Sequence, residues 1–278
     1  METGLRINKQ IQYLNDPQIR RDILLLFVLP SAILIFIYLF PQSEQILEYK
    51  ARNPTLIGII GSNLAHRSVN HITGNIFGYW LLGGTGYLLM KESNLDHVYK
   101  YSLVAYLLIL PFFANWTILQ IFSEQPDIIS KFESVGFSQT VGAVTGFLPI
   151  AISCYYSKLT DENHVIYISL GMFTLGFSVA FYYLGEINSS TIILGSIGIL
   201  SILYIGLRSI KSLKSTADPR FMYLFGAVAF FIIGIQLLFP PSAPAGIYGH
   251  MAGYVWGYLL PIVGIIGKIA YQKSKYRS

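Results

Sequence analysis

Residues 135–156 read VGFSQTVGAVTGFLPIAISCYY, 22 positions without an Asp, Glu, Lys or Arg. A helical crossing of a bilayer needs about 20 mostly apolar residues, so this stretch has the length and character of a membrane helix. Seven further runs of the same kind lie on either side of it, over 23–40, 69–90, 101–122, 165–184, 191–207, 221–239 and 247–266. The composition agrees with that count. Of 278 residues, 53% are hydrophobic and 12% are charged, against about 25% charged in an ordinary soluble domain. A chain with so few charges cannot wet the surface of a soluble globule. The runs predict an all-α polytopic membrane protein with about eight transmembrane helices, so any chemistry must be built between them.

The 19 Lys and Arg residues are spread unevenly over the connections. With the amino terminus inside, the inner segments hold 15 of them and the outer segments hold only Lys50, Arg52, Arg67 and Lys131. Cytoplasmic loops carry the excess of basic residues, so a multi-pass protein with both termini cytoplasmic is expected. The basic balance is thus a topology signal. A nucleic-acid footprint would need one basic stripe, and no nucleic-acid partner is expected. Residues 1–22 lack the apolar h-region of a signal peptide and read as a cytoplasmic tail from which nothing is removed. Residues 271–278 read as a second, basic cytoplasmic tail, leaving 23–270 as one transmembrane domain. The single cysteine, Cys154, excludes an intramolecular disulfide and a Cys-based metal cluster within one chain. The outer connection 41–68 is too long for a simple turn, and its apolar stretch 56–60 suits a segment resting in the interface. Pro30, Pro111 and Pro149 predict kinks that neighbouring helices accommodate.

Within the eight runs the only residues from the set Asp, Glu, Lys, Arg and His are His71 and His250. An unpaired charge at such a position costs about 2.5 kcal/mol or more, which makes each a functional hypothesis. The plainer reading is a neutral histidine that hydrogen-bonds between helices. Both are expected within about one turn of the outer face, at 1.5 Å per residue. Ser138 falls in the same layer on a third helix of the same direction. A serine hydroxyl becomes nucleophilic when a neutral imidazole within about 2.6–3.2 Å takes its proton. Gly142 and Gly146 follow Ser138, and Gly253 and Gly257 follow His250; such stripes let helix backbones approach closely, although ordinary helix packing explains them as well. His71 and Asn75, four residues apart, share a helix face. Beside Ser138 they would suit the oxyanion of a tetrahedral acyl intermediate, where one donor is worth about 3–4 kcal/mol; otherwise they are polar glue. Ser178 and Ser196 are rival serines in the outer half of their helices.

These residues resemble the rhomboid intramembrane serine proteases. His66, His71 and Asn75 stand in the spacing His-x4-His-x3-Asn, Gly136-Phe137-Ser138 matches a Gly-x-Ser element, and His250, Gly253 and Gly257 match His-x2-Gly-x3-Gly. The resemblance covers about 53–87, 134–148 and 246–260. It implies a rhomboid-like helical bundle with a six-helix core plus two extra helices. It further implies a Ser138–His250 dyad, an oxyanion hole of His71, Asn75 and the Ser138 backbone N–H, and supporting roles for His66, Gly136, Gly253 and Gly257. The implied substrates are transmembrane proteins, cut near the outer face with membrane lipid as surroundings, and no metal or cofactor is implied. Three features depart from the family pattern: two extra crossings between Ser138 and His250, no Trp-Arg pair in the first outer loop, and Gln139 where a small residue is usual. A larger side chain at 139 is expected to crowd the oxyanion hole. That departure keeps open a catalytically inactive rhomboid-like protein that binds or escorts membrane clients. A small-solute transporter is the third reading, for which inverted repeats or helices interrupted near the midplane would be expected; the sequence has no such repeat.

Overall fold

The computed structural model describes residues 15–40, 42–123, 133–134, 136–161, 164–213, 219–239 and 244–275. The first helix, α1 (Pro17–Leu39), begins six residues before the apolar run, inside the segment expected to be tail. Asp16 caps it by accepting the Gln18 N–H at 2.8 Å, and Pro17 at the first helical position has no N–H to leave unpaired. The added turn carries Asp22, which is buried yet satisfied: Lys100 Nζ lies 2.5 Å from it and the Tyr87 hydroxyl donates to it at 2.8 Å. The turn before Pro30 is widened into a π-helix, Leu24–Val28, one way to absorb a proline inside a helix.

The outer connection folds into α2 (Ser43–Leu47), a two-residue strand β1 (Tyr49–Lys50) and α3 (Leu56–Gly61). Leu56, Ile57 and Ile60 stand exposed on α3. The next helix, α4, runs from Val69–Gly78 through a π turn at Tyr79–Gly83 into Gly84–Glu92, with Ser68 accepting the His71 N–H at 3.2 Å as its cap. Helices α5 (Asp96–Leu108) and α6 (Leu110–Phe122) meet at 59°, which fulfils the kink expected at Pro111. Strand β2 (Glu133–Ser134) pairs antiparallel with β1 and leads into α7 (Ser138–Thr160). Then follow α8 (Val165–Tyr183), α9 (Ser189–Leu213), α10 (Pro219–Leu238) and α11 (Pro244–Lys275). Pro149 lies inside α7 without breaking it.

Helix α7 is the axis of the molecule: 89% of its apolar window is buried, against 28% for α1 and 22% for α9. The glycine stripes explain its closest contact. A Cβ added to Gly146 would lie 2.0 Å from the Tyr254 carbonyl oxygen, one on Gly253 2.2 Å from the Gln139 oxygen, and one on Gly257 2.2 Å from the Ala143 oxygen. Each glycine thus faces the other helix's backbone, and α7 and α11 pack at a separation that no larger residue permits. The pairing advances in step along both chains, so α7 and α11 run parallel. Helix α4 runs the same way, because His71 meets Gly136 at one end and Lys158 Nζ meets the Glu92 carbonyl at the other.

Among the described residues, five helices are long and apolar enough to cross a membrane, and the α5–α6 pair makes six if it is one bent crossing. The eight expected crossings are therefore not all matched. The two runs not among these six are those of α4 and α11. The fold is that of an all-α, multi-pass membrane protein.

Candidate active site

The site is built on the turn that enters α7. Gly136 has φ +116°, a conformation that L side chains rarely adopt, and its N–H donates to the Ser62 carbonyl at 2.7 Å. A Cβ at Gly136 would lie 2.5 Å from His71 Nε2 and 3.4 Å from Asn75 Nδ2. Glycine therefore lets the His71 and Asn75 side chains lie directly on the backbone that leads to Ser138. Ser138 is the first residue of α7, and the first N–H bonded back along the helix is that of Val141, to the Phe137 carbonyl. Among the described residues the amides of Ser138, Gln139 and Thr140 have no backbone acceptor, and they form the positive end of the helix dipole.

His66 ties these parts together and is almost fully buried, at 3% exposure. Its Nε2 receives the Phe137 N–H at 3.3 Å and the Asn75 amide at 3.1 Å, while Nδ1 lies 3.2 Å from the Leu64 carbonyl. Two donors on Nε2 require the proton to sit on Nδ1, where it is donated to Leu64. The ring is thus neutral, and burial, reinforced by neighbouring His71, pushes its pKa down to about 4 against the opposing pull of the Leu64 bond. The His66 and His71 rings meet edge to face at 5.1 Å. Asn75 keeps a second amide hydrogen free of this bond, since the group carries two.

His250 lies on the second turn of α11, one turn before Gly253. Its Nδ1 contacts the Leu238 carbonyl at the end of α10. An imidazole that donates Nδ1–H to a carbonyl presents Nε2 as an acceptor. Gly142 leaves room beside the His250 backbone, where a Cβ would come 2.8 Å from its carbonyl oxygen. Ser138 and His250 accordingly flank one end of the α7–α11 seam. The hydrogen bond expected between Ser138 Oγ and His250 is not formed among the described residues, and Ser138 Oγ has no partner there; the Leu238 contact is what fixes the His250 ring. The rival serines differ in this respect. Ser178 donates to the Thr191 carbonyl and Ser196 to the Ile192 carbonyl, both at 2.8 Å.

Gln139, the larger residue after Ser138, is buried. Its side chain turns to α6, where Nε2 donates to Asn115 Oδ1 at 3.0 Å. Asn115 in turn donates to the Ile59 carbonyl at 3.0 Å and to Ser62 Oγ at 3.3 Å, and Asn63 Nδ2 donates to Thr140 Oγ1 at 3.2 Å. This buried amide network locks α3 and the segment after it to the head of α7, holding the Ser62 carbonyl that receives Gly136. Ser62, Asn63 and Asn115 belong to no spacing motif that marks them in the sequence. The signal was an uncharged one: Asn115 is an amide in the middle of an apolar run. No group of three or more His, Cys, Asp or Glu suited to a metal ion occurs among the described residues. In comparisons with family models, characterised proteins and solved structures, nothing matches this chain.

Proposed function

We propose that this chain is a rhomboid-like intramembrane serine endopeptidase that cleaves transmembrane proteins near the outer face of the membrane. The observation that carries the reading is the convergence on the head of α7. His71 and Asn75 lie on the Gly136 turn, free helix-end amides begin at Ser138, and a glycine-lined seam brings the His250 helix alongside. In this reading Ser138 Oγ attacks the scissile carbonyl and its proton passes to His250 Nε2. The oxyanion is held by the Ser138 N–H, the His71 imidazole and the free Asn75 amide hydrogen, a set of donors preorganised for a charge that develops only in the transition state. His250 then protonates the leaving amine as the C–N bond breaks, and water hydrolyses the acyl-enzyme by the reverse sequence. The charge balance of the connections supports both termini inside, eight crossings and a site that opens outward.

A client-binding or escort protein with the same fold is favoured by one observation, the open Ser138–His250 contact. Catalytic hydrogen bonds are often long before substrate arrives, so the open contact does not displace the protease reading. The interrupted α5–α6 helix is the one trait a transporter would share, but its break lies between apolar Leu108 and Leu110. The deciding experiment places purified protein in liposomes with a model transmembrane substrate. Cleavage that Ser138→Ala and His250→Ala each abolish, with folding intact, is the expected result. Retained cleavage in Ser138→Ala, or loss in Ser196→Ala alone, refutes the assignment.

A further inference from the structure

His250 is oriented by a group that no catalytic motif in the sequence specifies. Its Nδ1 contacts the main-chain carbonyl of Leu238, the last residue of α10, a different helix from the one that carries the histidine. The last carbonyls of a helix have no intrahelical N–H to receive, so this acceptor is available because α10 stops there. It also sits at the negative end of the α10 dipole. We propose that the Leu238 carbonyl is a positioning group for catalysis, filling the place that a buried carboxylate takes in a Ser-His-Asp triad. It holds His250 in the Nδ1–H tautomer, aims the Nε2 lone pair at the α7–α11 seam, and stabilises the imidazolium formed when Nε2 takes the Ser138 proton.

The proton balance is simple. The Ser138 O–H bond breaks as an Nε2–H bond forms, the Nδ1–H stays with Nδ1 throughout, and the Nε2 proton then leaves with the amine. The carbonyl carries no full charge and gains none. Leu238 and Phe239 are both buried, so water does not compete readily for the bond. One consequence concerns α10. Because the acceptor is a helix end, a shift of α10 relative to α11 changes the base as well as the space beside it.

The inference rests on the protease reading, and its test separates the two. Histidine labelled with ¹⁵N at position 250 reports its tautomer directly by NMR in the unmodified protein, and Nδ1–H is expected. Replacing His250 with Nδ1-methylhistidine keeps Nε2 but removes the donor. The expected result is a kcat about 10- to 100-fold lower with KM unchanged, smaller than the ~10⁴-fold loss when a triad carboxylate is neutralised, because a carbonyl supplies only a dipole. An Nε2–H tautomer in the wild type, or full kcat in the methylated variant, overturns the proposal and leaves the protease reading standing. Activity surviving in Ser138→Ala overturns that reading itself.

Discussion

Alanine at Gly253 is a one-methyl change whose effect can be worked from the coordinates. The added Cβ would lie 2.2 Å from the Gln139 carbonyl oxygen and 3.0 Å from both its carbonyl carbon and Cα, whereas ordinary contact begins at 3.4 Å. Every obstructing atom is backbone, so no side chain can swing aside. The α7 and α11 backbones must part by about 1 Å, the difference between 2.2 and 3.4 Å. Overpacking of this kind costs about 1–3 kcal/mol. Under the proposed function the loss of activity exceeds that figure, because Gln139 adjoins Ser138 and Gly253 is one turn from His250. Misplacing reacting groups by about 1 Å lowers rates about 10²-fold. Gly226→Ala on α10 is the control, since a Cβ there meets nothing within 4 Å. Cleavage of a model transmembrane substrate in liposomes, measured beside thermal unfolding, should show Gly253→Ala impaired in both and Gly226→Ala unchanged. If Gly253→Ala keeps wild-type kcat and stability, the seam is looser than described and the account of how Ser138 and His250 are brought together fails.

His71→Ala and Asn75→Ala should each reduce turnover by about 10²–10³, as for loss of one oxyanion donor, with little change in unfolding; large destabilisation would return them to a packing role. His66→Leu should lower stability as well as activity, since it strands the buried Phe137 N–H and the Asn75 amide at about 1–3 kcal/mol each. Acid should do the same reversibly. With the His66 pKa lowered from 6.5 to about 4, its contribution is intact above pH 6.5 and is lost as pH falls from 6.5 toward 4. An unfolding midpoint in the wild type that stays flat across that window would contradict the burial of a neutral ring. Gln139→Ala should lose stability, because Asn115 Oδ1 is left buried and unpaired, while retaining turnover in the folded fraction; a rise in turnover would mean that Gln139 obstructs the hole after all.

The helices were legible because lipid demands long apolar runs, and each of the eight runs has a helical counterpart. The boundaries were less so. Helix α1 starts at Pro17 because the charge on Asp22 is met by Lys100, a partner from another helix that no local pattern announces. The candidate site residues stand out in the sequence as polar exceptions in apolar runs, and the glycine stripes as a way for helices to meet. That these stripes face each other could not be read from either alone. The direction of the Gln139 side chain is not legible from its volume, since it depends on Asn115 across the bundle. The burial of His66 is not legible in its spacing; it follows from α3 and its following segment folding onto the head of α7. The Leu238 carbonyl was beyond reach, because a main-chain acceptor leaves no mark on residue identity.

In the proposed function Ser138 is a nucleophile activated by His250. Incubation with a fluorophosphonate, followed by mass mapping of the adduct, tests it without knowledge of the natural substrate. The expected result is a covalent adduct on Ser138, absent in Ser138→Ala and strongly slowed in His250→Ala. An unlabelled Ser138 in folded protein, or labelling that persists at full rate without His250, would contradict it.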